Sequence, residues 1–236
     1  MNNSPVRKFV PAMQAFTAKQ RERASAFTLL ELLVVITIII ILIGFLFPAF
    51  RGVQDQAKRA QAKNDLNQIV AAVSAFYTEY GTYPVINTTN TDPAATYAAN
   101  NFTVFDVLRY DVSNSDNATV TALNPRQVVF VEPPAAKDQV TPKLGIKVFG
   151  VNQGVWFDPW GYPYNVTIDA NYNGITNGPP YLDLEAASYS SATDTSNDKG
   201  VRTGVIAWSL GADGVRADNY KDPLTGVPSD DVISWQ

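Results

Sequence analysis

The 236-residue chain contains no cysteine and no histidine. Without cysteine there is no disulfide, no thiolate zinc site and no thiol nucleophile. Without histidine, a Ser-His-Asp device loses its base, and zinc loses its commonest ligand. Charge is also scarce: 17% of residues are Asp, Glu, Lys or Arg, against roughly 25% in ordinary soluble domains. No glycine-rich phosphate loop is present, and no carboxylate pair is marked by its surroundings as an acid and base. Hydrophobic residues, at 46%, suffice for one core. The length allows about one domain with an appendage.

The net charge of −4 hides an asymmetry. Arg7, Lys8, Lys19, Arg21 and Arg23 against Glu22 give residues 1–26 a charge of +4, and the other 210 residues carry 13 basic and 21 acidic groups, or −8. An acidic body lacks the clustered cations that nucleic-acid backbones require, so no nucleic-acid partner is expected. A basic head before an apolar run reads as a membrane-targeting segment. From Leu32 to Phe50 there are 19 residues without a charge, close to the roughly 20 that span a bilayer core. The basic flank keeps residues 1–25 in the cytoplasm and sends the acidic body across. A cleaved secretory peptide fits poorly, because the apolar stretch is too long and no A-x-A site follows it.

Glu31 is the one charge near the start of that run. A carboxylate at the bilayer centre costs on the order of 2.5–3.5 kcal/mol, so such groups snorkel, pair or serve a function. Its setting is Ala26-Phe27-Thr28-Leu29-Leu30-Glu31, between the basic leader and the apolar helix. This resembles the processing site of type IV prepilins and of the pseudopilins of type II secretion. The resemblance implies cleavage between Ala26 and Phe27 by a membrane prepilin peptidase, then N-methylation of Phe27. Ala26 departs from the glycine usual before the cut. The resemblance further implies that Glu31 of an incoming subunit pairs with the Phe27 amine of a neighbour during assembly, which supplies the buried carboxylate with a countercharge.

Beyond the run, Gly44 and Pro48 are expected to interrupt the helix near its outer end. From Leu66 to Tyr80 apolar residues recur at three- and four-residue spacing: Leu66, Ile69, Val70, Val73, Phe76, Tyr77 and Tyr80. Val53, Ala57 and Ala60 extend the series toward the N-terminus. One stripe therefore faces a core, and Asp55, Lys58, Arg59, Lys63, Asp65 and Glu79 fall mostly off it. Gly81 and Pro84 stop the helix. A helix from Phe27 to Tyr80 is roughly 80 Å long at 1.5 Å per residue.

The middle is less patterned. Residues 86–101 read as a loop and 102–110 as a short helix, whereas 126–132 and 143–150 read as strands or isolated ordered segments. Val155–Tyr164 contains Asp158-Pro159-Trp160-Gly161-Tyr162-Pro163-Tyr164, tight turns anchored by aromatics. It resembles the Asp-Pro-Trp-Gly-x-Pro-Tyr signature of major pseudopilins. Segments 164–168 and 204–209, with one near 181–185, alternate as strands of a small antiparallel sheet on the helix stripe.

Two acidic segments close the chain: Ser209–Gly214 and Pro228–Trp235. They resemble the calcium loop of major pseudopilins. The resemblance implies Asp213, Asp230 and Asp231 as carboxylate ligands of a structural Ca²⁺, with carbonyls near Leu210 and Pro228 beside them. Calcium takes six to eight hard oxygens in flexible geometry, so the donor set is chemically suitable. Asp218 and Asp222 in the longer intervening loop are alternative ligands, and a solvated loop without metal is the plain alternative. Asp169–Gly174 matches the start of an EF-hand loop, but its twelfth position is Pro180, so it reads as a β-turn, with Asp183 the late ligand of the metal-binding alternative.

The implied fold is α+β and pilin-like. A long N-terminal helix, half of it transmembrane, packs on a small antiparallel sheet with a C-terminal calcium-type loop. The organisation expected is a cleaved leader at 1–26, an assembly helix at 27–50, an amphipathic stem at 51–84, a variable region at 85–154 and a β-rich region at 155–236. The implied function is a non-enzymatic subunit of a periplasmic pseudopilus, anchored in the bacterial inner membrane before assembly. It would polymerise with itself and with minor pseudopilins on an inner-membrane platform. A type IV pilus subunit for adhesion, motility or DNA uptake is one alternative; an uncleaved membrane-anchored enzyme or binding protein is another.

Overall fold

The computed structural model describes residues 28–85, 95–97, 101–113, 117–176, 201–216 and 229–235, with side chains 46–51, 95–97 and 117 excepted. The chain falls into two compact units, Met1–Ala49 and Phe50–Gln236.

Helix α1 runs from Leu29 to Tyr80, 52 residues. It continues through Gly44 and Pro48, so the expected interruption is absent. Pro48 withholds one N–H, the donor for the carbonyl four residues earlier. That carbonyl belongs to Gly44, and one missing bond does not end a helix of this length. In the first unit the apolar side chains from Leu29 to Phe45 are exposed. Thr37, a polar residue within this stretch, turns its hydroxyl onto the Leu33 carbonyl at 2.7 Å. Among the described residues, no helix is long and apolar enough to cross a membrane; described side chains of the apolar run end at Phe45, five residues before the run does.

In the second unit the predicted stripe is the inner face of α1. Ala62, Leu66, Ile69, Ala72, Val73 and Phe76 are buried, while Val53, Ala57 and Ala60 are exposed. Asp65 corrects the sequence reading: it lies on the stripe and is 3% exposed. Its spacing from Ala62 and Ile69 is that of its apolar neighbours, and hydrogen bonds replace its hydration. The helix ends as expected, with Gly81 at φ +69° donating its N–H to the Tyr77 carbonyl at 2.8 Å.

Four antiparallel strands cover this face, in the order β1 (Ala95–Tyr97), β4 (Asn165–Ile168), β5 (Val205–Ser209) and β6 (Val232–Ile233). The alternation predicted for β4 and β5 is real. Val166, Ile168, Val205, Ala207 and Val232 join the α1 core, whereas Ile206, Trp208 and Ile233 point the other way into a second small cluster with Val201. Period-two side-chain placement produces these two faces. The Trp208 and Trp235 rings meet edge-on at 6.5 Å in the second cluster.

The middle region differs more from its reading. The expected short helix is α2, Phe102–Arg109, whose Val104, Phe105, Val107 and Leu108 enter the core. Residues read as loop contribute β1, paired from Ala95↔Ile168 to Tyr97↔Val166. A further helix, α3, spans Asn117–Leu123. Residues 126–132 form no strand; Phe130 instead donates its N–H to the Leu108 carbonyl, and the prolines that follow at 133 and 134 offer no donors. Within 143–150 only β2, Gly145–Ile146, is a strand, and it pairs with β3, Trp156–Phe157. The segment 181–185 lies outside the described residues.

Two buried asparagines replace the missing regular pairing. Asn124 accepts the Tyr80 hydroxyl at 2.6 Å and the Val128 N–H at 3.0 Å, and donates to the carbonyls of Val107 and Val128. Asn101 donates to the Trp156 and Tyr164 carbonyls and accepts the Trp156 N–H. Each amide supplies partners to backbone groups outside the four-stranded sheet.

Candidate functional site

The start of α1 is organised by its own side chains. Thr28 caps it: its hydroxyl oxygen accepts the Glu31 N–H at 3.2 Å, and its hydroxyl proton points to Glu31 Oε2 at 3.3 Å. Thr-x-x-Glu is the capping-box spacing, a local signal in the sequence beside the charge of Glu31. The Glu31 carboxylate is exposed and stands in the first helical turn, where a negative charge is favoured by the helix dipole. Ala26 and Phe27 lie outside the described residues.

In the second unit, the Asp-Pro-Trp-Gly turn is built on Asp158, which is fully buried. Oδ1 of Asp158 accepts three backbone N–H groups, from Trp160 at 2.9 Å, Gly161 at 2.7 Å and Tyr162 at 2.9 Å. Oδ2 accepts the Ser209 hydroxyl at 2.6 Å. Burial pushes this carboxyl above its usual pKa, and those four hydrogen bonds pull in the opposite direction. The turn delivers Tyr164 into the core, where its hydroxyl donates to Asp65 Oδ2 at 2.8 Å. Asp65, Asn101 and Asn124 were not singled out as organising residues. Each has at least one partner 44 to 99 positions away in sequence, beyond the reach of any local pattern.

The acidic segments meet at the end of β5. Oδ2 of Asp230 accepts the N–H groups of Ala212 at 2.6 Å and Asp213 at 3.0 Å, and Asp213 Oδ1 accepts the Val215 N–H at 2.8 Å. Gly211 sits with φ +68° against the Asp230 backbone, leaving no room for a side chain. From α1, Arg59 donates to the Ser229 carbonyl at 2.9 Å and Lys63 to the Ile233 carbonyl at 2.8 Å. Asp213 and Asp230 are thus brought together, Asp231 is 2% exposed beside them, and Leu210 is half-buried. Pro228, Asp218 and Asp222 lie outside the described residues. Among the described residues no three acidic side chains are grouped to hold a metal ion. The oxygens that do converge are hard donors, the chemistry calcium takes.

Asp169 caps a turn, as the β-turn reading expects: its two oxygens accept the N–H groups of Asn173 at 3.2 Å and Gly174 at 2.8 Å. Asp183 lies outside the described residues.

Residues 21–47, spanning the α1 start, match the prokaryotic N-terminal methylation motif. The chain is 38% identical over 65 residues to the type II secretion system core protein G of Pseudomonas aeruginosa, an alignment covering 28% of this chain and 46% of that protein. The chain therefore spans about half the length of that relative. No solved structure matches it. A methylation motif whose glutamate sits in the opening turn of a long helix, together with this likeness, makes the amino-terminal part of the chain similar to type IV pilin-like proteins and pseudopilins.

Proposed function

We propose that the chain is a subunit of a periplasmic pseudopilus of type II secretion. A prepilin peptidase cleaves between Ala26 and Phe27, the new Phe27 amine is methylated, and the apolar half of α1 holds the subunit in the inner membrane until it joins the fibre. The methylation motif overlapping the first turn of α1 is the observation that carries this reading. The likeness to core protein G favours secretion over a surface pilus. Other copies, minor pseudopilins and an inner-membrane platform are the partners. In the fibre, Glu31 neutralises the Phe27 amine of a neighbour, a pairing that removes the cost of burying either charge alone.

Mass spectrometry of membrane-purified protein tests the processing: a mature chain beginning at methylated Phe27 is expected, and an intact Met1 rejects the reading. Glu31→Gln tests the pairing, because glutamine still completes a capping box but carries no charge. It should leave the fold intact and abolish fibres. Loss of exoprotein release on deletion, with twitching and transformation unchanged, distinguishes a secretion pseudopilus from a type IV pilus.

The acidic loop is proposed to hold one structural Ca²⁺ through Asp213, Asp230 and Asp231, with the carbonyls of Leu210 and Pro228. Bound metal would add folding free energy in a chain that has no disulfide to do so. The full chain in detergent should melt at higher temperature with Ca²⁺ than with chelator; identical melting rejects the metal.

A further inference from the structure

The hydroxyl of Ser209 lies where three parts of the second unit meet. Ser209 is the last residue of β5, is fully buried, and is in register with Val232 of β6, next to Asp231. It has one proton, and that proton goes to Asp158 Oδ2 at 2.6 Å. Its oxygen then accepts the Gly211 N–H at 3.1 Å. The following two amides, of Ala212 and Asp213, hold Asp230 Oδ2. A second contact joins the same turns, because the Tyr162 ring lies against Gly214, where a β-carbon would overlap it. Asp158 and Asp230 are therefore joined through the Ser209 hydroxyl and the Gly211–Asp213 backbone, with two hydrogen bonds at the Ser209 end and two at the Asp230 end.

We propose that Ser209 is a positioning residue for the acidic loop, fixing the Gly211–Asp213 amides against the rigid Asp158 turn so that Asp213 and Asp230 are held ready for a cation. This rests on the reading of those carboxylates as calcium ligands. The Asp158 end is rigid because a single carboxylate takes four donors, and a buried acceptor so engaged has no alternative orientation of equal energy. Alanine at 209 keeps the β5–β6 backbone pairing but removes both bonds at once. The Gly211 N–H then loses its acceptor, and the turn carrying Asp213 loses its anchor. Outer groups of this kind act on a metal through the ligands they orient.

The test uses the full chain in detergent micelles. Metal-free amide exchange is read at Gly211–Asp213, with the α1 amides from Leu66 to Phe76 as an internal control for global unfolding. Ser209→Ala should speed exchange at Gly211–Asp213 about tenfold with the control unchanged, and Ser209→Thr, which keeps the hydroxyl, should restore protection. Should Ser209→Ala not fold, Ser209→Cys, whose thiol is a weak donor and acceptor, provides the second reading, with the same amides expected to open. Calcium titration of the same proteins should show affinity about tenfold weaker in Ser209→Ala. Wild-type protein that takes up no calcium rejects the metal reading while the exchange result still decides whether Ser209 orders the turn. Unchanged exchange, or faster exchange with unchanged calcium affinity, overturns the positioning role.

Discussion

The Tyr164 hydroxyl donates to Asp65 at 2.8 Å, joining the aromatic turn to the buried face of α1 across 99 residues of sequence. Gln61 supplies a second donor to the same carboxylate at 2.8 Å. Burial raises the Asp65 pKa above the ordinary carboxylate value; the Tyr164 and Gln61 hydrogen bonds lower it, and the nearby Asp158 charge raises it. Tyr164→Phe removes a donor from a buried charged acceptor and should cost about 1–3 kcal/mol, read from the midpoint of urea unfolding. An undiminished midpoint refutes the bond's importance.

The same site sets a pH dependence. A carboxyl whose folded pKa exceeds its unfolded value of about 3.9 binds more protons folded than unfolded in the interval between them. Stability from Asp65 is therefore fully present below the unfolded pKa and is lost as pH rises through the folded one. Asp65→Asn should flatten that decline relative to wild type. Parallel stability-versus-pH curves for the two proteins contradict it.

Two glycines separate backbone strain from crowding. Gly81 and Gly211 share nearly the same positive φ, +69° and +68°, but a β-carbon at Gly81 meets nothing within 4 Å, whereas one at Gly211 overlaps the Asp230 backbone. Gly81→Ala should cost about 1–2 kcal/mol from conformation alone. Gly211→Ala should cost distinctly more in thermal unfolding. Equal losses argue against the close approach.

Arg59 and Lys63 stand one helical turn apart and grip the C-terminal segment through its carbonyls. Replacing Arg59 with alanine should expose residues 229–235 to faster amide exchange, with about 1.5–3 kcal/mol lost for a charge-assisted bond. Exchange confined to its wild-type rate shows that β6 holds the segment unaided.

Phe76 is fully buried, with ring contacts to Tyr80 at 4.7 Å and Phe130 at 5.2 Å. Phe76→Ala should destabilise by about 3–5 kcal/mol. Its neighbour Tyr77, 40% exposed and stacked on Tyr83 at 4.6 Å, should cost about 0.5–1.5 kcal/mol on the same change. A reversed order in calorimetry places the stripe on the wrong helix face.

What local pattern can encode was legible in the chain. The stripe from Leu66 to Phe76, the stop at Gly81, helix α2 and strands β4 and β5 follow from periodicity and turn chemistry. Asp65 shows where that reading fails: its position fits the stripe, but its side-chain type points to solvent unless the distant Tyr164 is known. Strand β1 escaped for a related reason, since Ala95–Tyr97 becomes a strand through its pairing with β4. Segment 126–132 has strand composition without a strand partner, so its backbone is served by α2 and Asn124 instead. Pro48 carries a local cost that predicts a break, whereas the tolerance of a 52-residue helix is not visible from one residue. At the site, Glu31 stands out by its charge in an apolar run, and its capping partner Thr28 is encoded by the Thr-x-x-Glu spacing.

The outermost strands of the four-stranded sheet, β1 and β6, are three and two residues long. Edges so short offer a foreign strand little backbone to zip onto. Edge-to-edge strand pairing, a common route to aggregates, therefore has little backbone to start from even where copies crowd together.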